Sequence, residues 1–151
     1  MSGSGPPLHG GCHCGNIEVQ VQLSAPPGQF HPRACDCDYC RKHGAAWLSD
    51  PRGTLLIRVK QPEASGRYRQ GSGQAELLLC RDCGVLVAVL HGAPGQLQGA
   101  VNVRAFVGTA PFGPQESVSP QKLSPQEKAQ RWRNLWFPRV QLLISSPELR
   151  A

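Results

Sequence analysis

Charge is scarce in this sequence. Its 151 residues carry 10 Asp and Glu against 16 Lys and Arg, and charged residues of both signs amount to 17%. Aromatic residues are 6%, and there is one methionine. With 17 Gly and 14 Pro in the same chain, this composition excludes a coiled coil or a helical repeat. No apolar run approaches the about 20 residues that cross a bilayer. The opening, MSGSGPPLHGG, has neither the basic nor the apolar region of a secretory leader. Position 2 is Ser2 rather than the glycine that myristoylation needs. The expected setting is therefore the cytoplasm, without membrane attachment. Arg131, Arg133 and Arg139 form too short a basic stripe for nucleic acid, and a solvated helix face is expected there.

What is present suits one domain of short strands and turns. Seven cysteines stand out. An odd number leaves a thiol over from any full disulfide framework, and in a reducing compartment clustered cysteines point to metal or to chemistry. Four thiolates on one zinc and three on another would lower the formal charge of +6 to about +3, a mildly basic protein.

Positions 1–9 read as a flexible tail. Ile17, Val19, Val21 and Leu23 alternate with the polar Glu18, Gln20 and Gln22 and predict a half-buried strand, and Leu55, Ile57 and Val59, alternating with Leu56, Arg58 and Lys60, predict a second. Residues 76–90 read as a hairpin whose tip holds Cys80 and Cys83. A strand is expected over 97–106 and a last one over 140–144. Positions 110–126 form a Pro/Gln-rich loop. Ser124-Pro125-Gln126-Glu127 then predicts a helix start with a capping box. Trp132, Leu135 and Trp136 share one helical face, to pack on the sheet or to cover a ligand site. The helix and last strand are expected to pack on the same domain.

The cysteines fall into Cys12/Cys14, Cys35/Cys37/Cys40 and Cys80/Cys83. The outer pairs, each followed by glycine, sum to a closed four-thiolate site of the structural kind, a cross-link over roughly 65 residues. The trio remains. Three thiolates on one loop leave a zinc with an open position, the mark of a catalytic site where a substrate thiol can bind as thiolate. His43 could instead close a structural site, a disulfide within the trio would make it redox-active, and a division pairing Cys12/Cys14 with Cys35/Cys37 is a further arrangement. Arg41 and Lys42 follow the trio and could receive a carboxylate. Asn102 and Arg104 fall on a solvent face or line a pocket where Arg104 binds a carboxylate. Tyr39 packs or touches substrate; His13, His31 and His91 read as surface or loop residues.

Gly10-Gly11-Cys12-His13-Cys14-Gly15, then Cys35-x-Cys37-x-x-Cys40-Arg41-Lys42-x-Gly44, then Cys80-x-x-Cys83-Gly84, resembles the glutathione-dependent formaldehyde-activating enzyme family, which includes centromere protein V. The resemblance runs from about Gly10 to Phe106, so that 10–109 would be the zinc-binding domain; the stretch after it lies outside. It implies a mainly β, zinc-bound β-tent fold with a short C-terminal helix. It implies a structural zinc on Cys12, Cys14, Cys80 and Cys83, and a second, catalytic and labile zinc on Cys35, Cys37 and Cys40. The implied activity is S-(hydroxymethyl)glutathione synthase, formally a carbon–sulfur lyase, acting on a glutathione-like thiol and a small aldehyde such as formaldehyde. The alternative is a non-catalytic, zinc-stabilised protein-binding module of the centromere protein V type.

Overall fold

In chain order the computed structural model, which describes residues 5–93, 95–106 and 112–145, contains the strands β1 (Leu8–Gly11), β2 (Ile17–Gln22) and β3 (Arg33–Cys35), the helix α1 (Asp38–His43), and the strands β4 (Trp47–Leu48), β5 (Thr54–Val59) and β6 (Ser65–Tyr68). There follow β7 (Glu76–Cys80), β8 (Leu86–His91), β9 (Gln98–Asn102), β10 (Glu116–Val118), the helix α2 (Pro125–Leu135) and β11 (Gln141–Ile144). Leu8 and His9, placed in the tail by sequence, belong to β1 and pair with Val21 and Gln20.

The alternating segments build the smaller sheet, in the order β1-β2-β5-β11. Ile17, Val19 and Val21 on β2 and Leu55, Ile57 and Val59 on β5 are buried, while Glu18 and Arg58 between them are exposed. Val19 stands opposite Ile57 across the antiparallel ladder, so one apolar face results. The larger sheet runs β10-β3-β4-β9-β8-β7-β6. Its centre reads differently: Leu86, Val87, Ala88, Val89 and Leu90 of β8 are all buried, because this strand is covered on both faces. One side, with Leu78, Ala88, Leu90 and Val101, joins the smaller sheet's apolar face in one core cluster. The other side, with Leu77, Leu86, Val89 and Ala100, joins Trp132 and Trp136 of the α2 region, Trp47, Cys37 and Cys40 in a second. The architecture is therefore sheet on sheet, with α2 on the outer face.

The predicted capping box holds α2 at its start: the Ser124 hydroxyl accepts from the Glu127 N–H at 3.1 Å, and the Glu127 carboxylate accepts from the Ser124 N–H at 2.8 Å. The helix ends with Trp136 as its C-cap, two residues before Pro138. One predicted strand is shorter than expected. β9 stops at Asn102 and the chain turns through a 3-10 helix over Val103–Ala105, because the Asn102 side chain accepts from the Arg104 N–H and caps that turn. The two C-terminal strands pair in parallel with earlier ones, β10 with β3 and β11 with β5. No helix among the described residues is long and apolar enough to cross a membrane.

Candidate metal centres and the cavity beside them

Cys12 and Cys14 lie on the turn between β1 and β2; Cys80 ends β7 and Cys83 lies on the turn into β8. The folded chain brings all four sulfurs within 4.8 Å of one another. Cys12 Sγ stands 3.8 Å from Cys14 Sγ, which stands 3.5 Å from Cys80 Sγ. Four thiolates about 2.3 Å from a tetrahedral zinc lie roughly 3.8 Å apart, so the donor set and its spacing fit such an ion. Gly15 (φ 88°) and Gly84 (φ 81°) supply the left-handed residues that follow each pair. The backbone also addresses the sulfurs, with the Ile17 N–H donating to Cys12 Sγ at 3.2 Å. Burial pushes the Cys12 and Cys80 thiols up. Burial acts in the same direction on Cys83, but hydrogen bonds from the N–H groups of Val85, Cys14 and His13 and from the Cys80 thiol outweigh it and hold Cys83 at about 6. His13, between two of these cysteines, points into solvent.

The second group forms where β3 runs into α1. Cys35 ends the strand, Cys37 is the helix N-cap and Cys40 lies in the first helical turn, with Cys37 Sγ accepting from the Cys40 N–H at 3.4 Å. Asp38 in the first turn and Arg41, Lys42 and His43 in the last complement the helix dipole. The three sulfurs lie within 4.8 Å of one another, and among the described residues no His, Asp or Glu joins them. His43 is exposed, its ring 4.7 Å from that of Tyr39, which in turn stacks on Tyr68 at 5.0 Å. The hydrogen bond from the Cys40 thiol is the largest influence on Cys35; with help from Cys37 it overcomes burial and brings Cys35 down to about 6. The same bond pushes Cys40 up. The sevenfold set thus divides four and three, with no disulfide among the described residues.

A cavity of about 510 Å³ opens beside the trio, with Cys35, Cys37 and Cys40 on its wall. Trp47, Trp132 and Trp136 supply apolar surface. The last two stack at 4.7 Å with 15° between their planes, and the His91 ring supports Trp132 at 5.1 Å. His91, read from sequence as a loop residue, ends β8 and bonds through Nδ1 to the Gln98 side chain at 3.0 Å. Arg33, Lys128 and Arg131 also face the cavity. Burial first, and the like charge of Arg131 second, lower Arg33 to about 10; its guanidinium donates to the Ser49 hydroxyl. Arg131 is lowered by burial, against which the Cys35 charge acts.

Four residues singled out from sequence as substrate contacts stand elsewhere. Arg41 and Lys42 are exposed and do not line the cavity. Asn102 is buried and wholly engaged with backbone: its Oδ1 accepts from Ala46 and Arg104 N–H groups at 3.3 and 3.2 Å, and its Nδ2 donates to the Leu86 carbonyl at 2.9 Å. Arg104 donates to the Gly44 carbonyl at 2.8 Å, closing the end of α1, and to the Gln115 side chain at 3.3 Å. Conversely, Arg131 lines the cavity although it read as a solvated helix position, and Arg33 and Lys128 gave no signal. The one available clue was that Lys128, Arg131, Trp132 and Trp136 share a face at helical spacing.

The sequence model for glutathione-dependent formaldehyde-activating enzymes matches residues 7–127. Lys128, Arg131, Trp132 and Trp136 follow the last matched position. The fold is similar to a crystal structure of a Rhodobacter sphaeroides protein, with 27% identity over 69% of this chain and 92% of that one and a TM-score of 0.50. A family match over most of the chain, carried on a scaffold with the seven cysteines gathered as four and three, makes this protein a member of the glutathione-dependent formaldehyde-activating enzyme family.

Proposed function

We propose that the protein is a zinc-dependent enzyme acting on a glutathione-like thiol and a small aldehyde such as formaldehyde, an S-(hydroxymethyl)glutathione synthase-like carbon–sulfur lyase. The observation that carries this reading is a three-cysteine group, without a fourth protein ligand among the described residues, opening onto a cavity. Cys12, Cys14, Cys80 and Cys83 hold a structural zinc that ties the β1–β2 turn to the β7–β8 turn. Cys35, Cys37 and Cys40 hold a second zinc within the 10–109 domain, with residues 112–145, the described part of the 110–151 stretch, packed against it. A zinc ion there supplies the Lewis acidity that lowers the pKa of a thiol. In the forward direction the thiol sulfur bonds to the aldehyde carbon, the carbonyl π pair moves to oxygen, and the thiol's proton ends on that oxygen; the reverse releases the aldehyde. The protein's own residues position the reactants. Trp47, Trp132 and Trp136 exclude water from one side, and the Cys40 N–H and Gln70 amide, 3.4 and 3.8 Å from Cys37 Sγ, fix the trio's orientation. Holding both reactants together is the main requirement, because thiol and formaldehyde combine readily in solution. Seven cysteines free of disulfides suit a cytoplasmic setting.

The test compares Cys37→Ser with Cys80→Ser. C80S removes a ligand whose binding energy is folding energy, so it loses one zinc and melts far below wild type. C37S keeps its fold and loses exchange of the formaldehyde–glutathione adduct measured by NMR. A C37S protein that unfolds as badly as C80S makes the trio structural. A wild-type protein that exchanges the adduct no faster than free thiol removes the enzyme reading for this substrate.

A further inference from the structure

Thiol–aldehyde exchange needs no cation away from the metal, yet the cavity has three. Arg33 comes from β3, and Lys128 and Arg131 come from consecutive turns of α2. All three are half-buried. The ion pairs found among the described residues are Lys60–Glu18 and the two that Arg67 and Arg69 make with Glu76, so none involves these three. Asp38 is the acidic side chain on the same wall. Three thiolates around a dication would carry one net negative charge and Asp38 a second, against three cations on the cavity wall; Glu116, opposite Arg33 in the β10–β3 ladder, also attracts Arg33 but does not line the cavity. Like charges gathered against tryptophan surface repel more strongly than in water, and a bound anion relieves that repulsion. Arginine, with its planar fork of donors, is suited to a carboxylate. The volume of about 510 Å³ lies in the range of small-molecule sites.

We propose that Arg33, Lys128 and Arg131 form an anion-receiving face, so that the ligand is a thiol that also carries a carboxylate, with its sulfur at the trio and its carboxylate against α2. This rests on the trio being a thiol-binding centre. It moves ligand selection from the cysteine loop, where Arg41 and Lys42 are exposed and off the cavity wall, to residues of α2 that follow the part of the chain matched by the family.

The experiment measures binding of three probes to the zinc-loaded full chain by calorimetry at low salt: glutathione, its diethyl ester, which keeps the thiol and loses both carboxylates, and S-methylglutathione, which keeps the carboxylates and blocks the thiol. Wild type is expected to bind glutathione about tenfold more tightly than the diester, the discrimination of one charge-assisted contact. Arg131→Gln and Lys128→Gln each erase most of that preference and leave diester affinity unchanged. Arg133→Gln, the same charge change on the exposed face of α2, keeps the preference. Equal affinity for glutathione and diester in wild type overturns the proposal, as does a loss in R131Q and K128Q that is equal for both compounds, since that signals a disturbed helix. If R131Q fails to fold, K128Q carries the comparison. If S-methylglutathione binds as tightly as glutathione while the diester stays weak, the thiol-binding reading of the trio fails and the anion face stands alone. If no probe binds, both fail.

Discussion

Replacing Asn102 by alanine separates a residue that shapes the fold from one that meets the ligand. Asn102 is 2% exposed, and its amide reaches three pieces of backbone: Ala46 after α1, Leu86 at the start of β8, and Arg104 in the following turn. Ala46 is fully buried and Leu86 nearly so, so N102A leaves a buried N–H and a buried carbonyl without a partner. Each orphaned group costs about 1–3 kcal/mol. The contact to Ala46 is long at 3.3 Å, which puts that bond at the low end, while the 2.9 Å bond to Leu86 is full strength. The sum is about 3 kcal/mol, a large part of the 5–15 kcal/mol that typically holds a domain together. For a chain of this length that lowers Tm by about 6–12 °C. The assay is urea unfolding at fixed free zinc, with glutathione affinity measured on the folded fraction. The expected variant unfolds at lower urea with an unchanged m value and binds glutathione as wild type does. An N102A protein within about 0.5 kcal/mol of wild-type stability that binds glutathione more weakly would refute this reasoning and return Asn102 to the ligand.

Three further outcomes are expected. Ser124→Ala removes the hydroxyl half of the capping box and costs about 1 kcal/mol, read as a small shift in unfolding midpoint, with α2 still formed. Mild chelation strips zinc from the three-cysteine group before the four-cysteine group, so that native mass spectrometry passes through a folded one-zinc species. In that species Cys35, brought down to about 6 by the Cys40 thiol, is a thiolate at neutral pH. Its folded value lies below that of an ordinary cysteine, so the stabilisation is complete at alkaline pH and is lost as pH falls through about 6. Alkylation of Cys35 by iodoacetamide should therefore rise with pH around 6 rather than around 8.5, and a profile like that of free cysteine would contradict the hydrogen bond to Cys40.

How much of this was readable from sequence depended on whether the signal was local. The alternation of Ile17, Val19 and Val21 against Glu18 and Gln20 predicts β2 because that strand has one buried and one wetter face. The capping box of α2 spans four residues and reads directly. The cysteine pairs declare themselves by short spacing and a following glycine. Asn102 misled because its neighbours suggested a strand with a wet face; β9 lies inside the larger sheet with both faces covered, and Val101 and Asn102 are equally buried. The tryptophan face hinted at a covered site, but the cavity's cations could not be seen, since Arg33 meets Lys128 and Arg131 only after β10 has paired in parallel with β3 and α2 has settled on the outer face. Parallel pairing between distant segments leaves no local mark.

That pairing has a consequence for how such a protein diversifies. α2 is strung between β10, which is hydrogen-bonded to the edge of one sheet, and β11, which is hydrogen-bonded to the edge of the other. Both anchors are backbone ladders, indifferent to most side chains; the β10–β3 ladder ends with Val118 opposite Cys35, and the β11–β5 ladder includes no cysteine. If the anion-receiving face is as proposed, residues 128 and 131 are the positions on this helix that can change with the ligand, because Trp132 and Trp136 are built into the core that also holds Cys37 and Cys40.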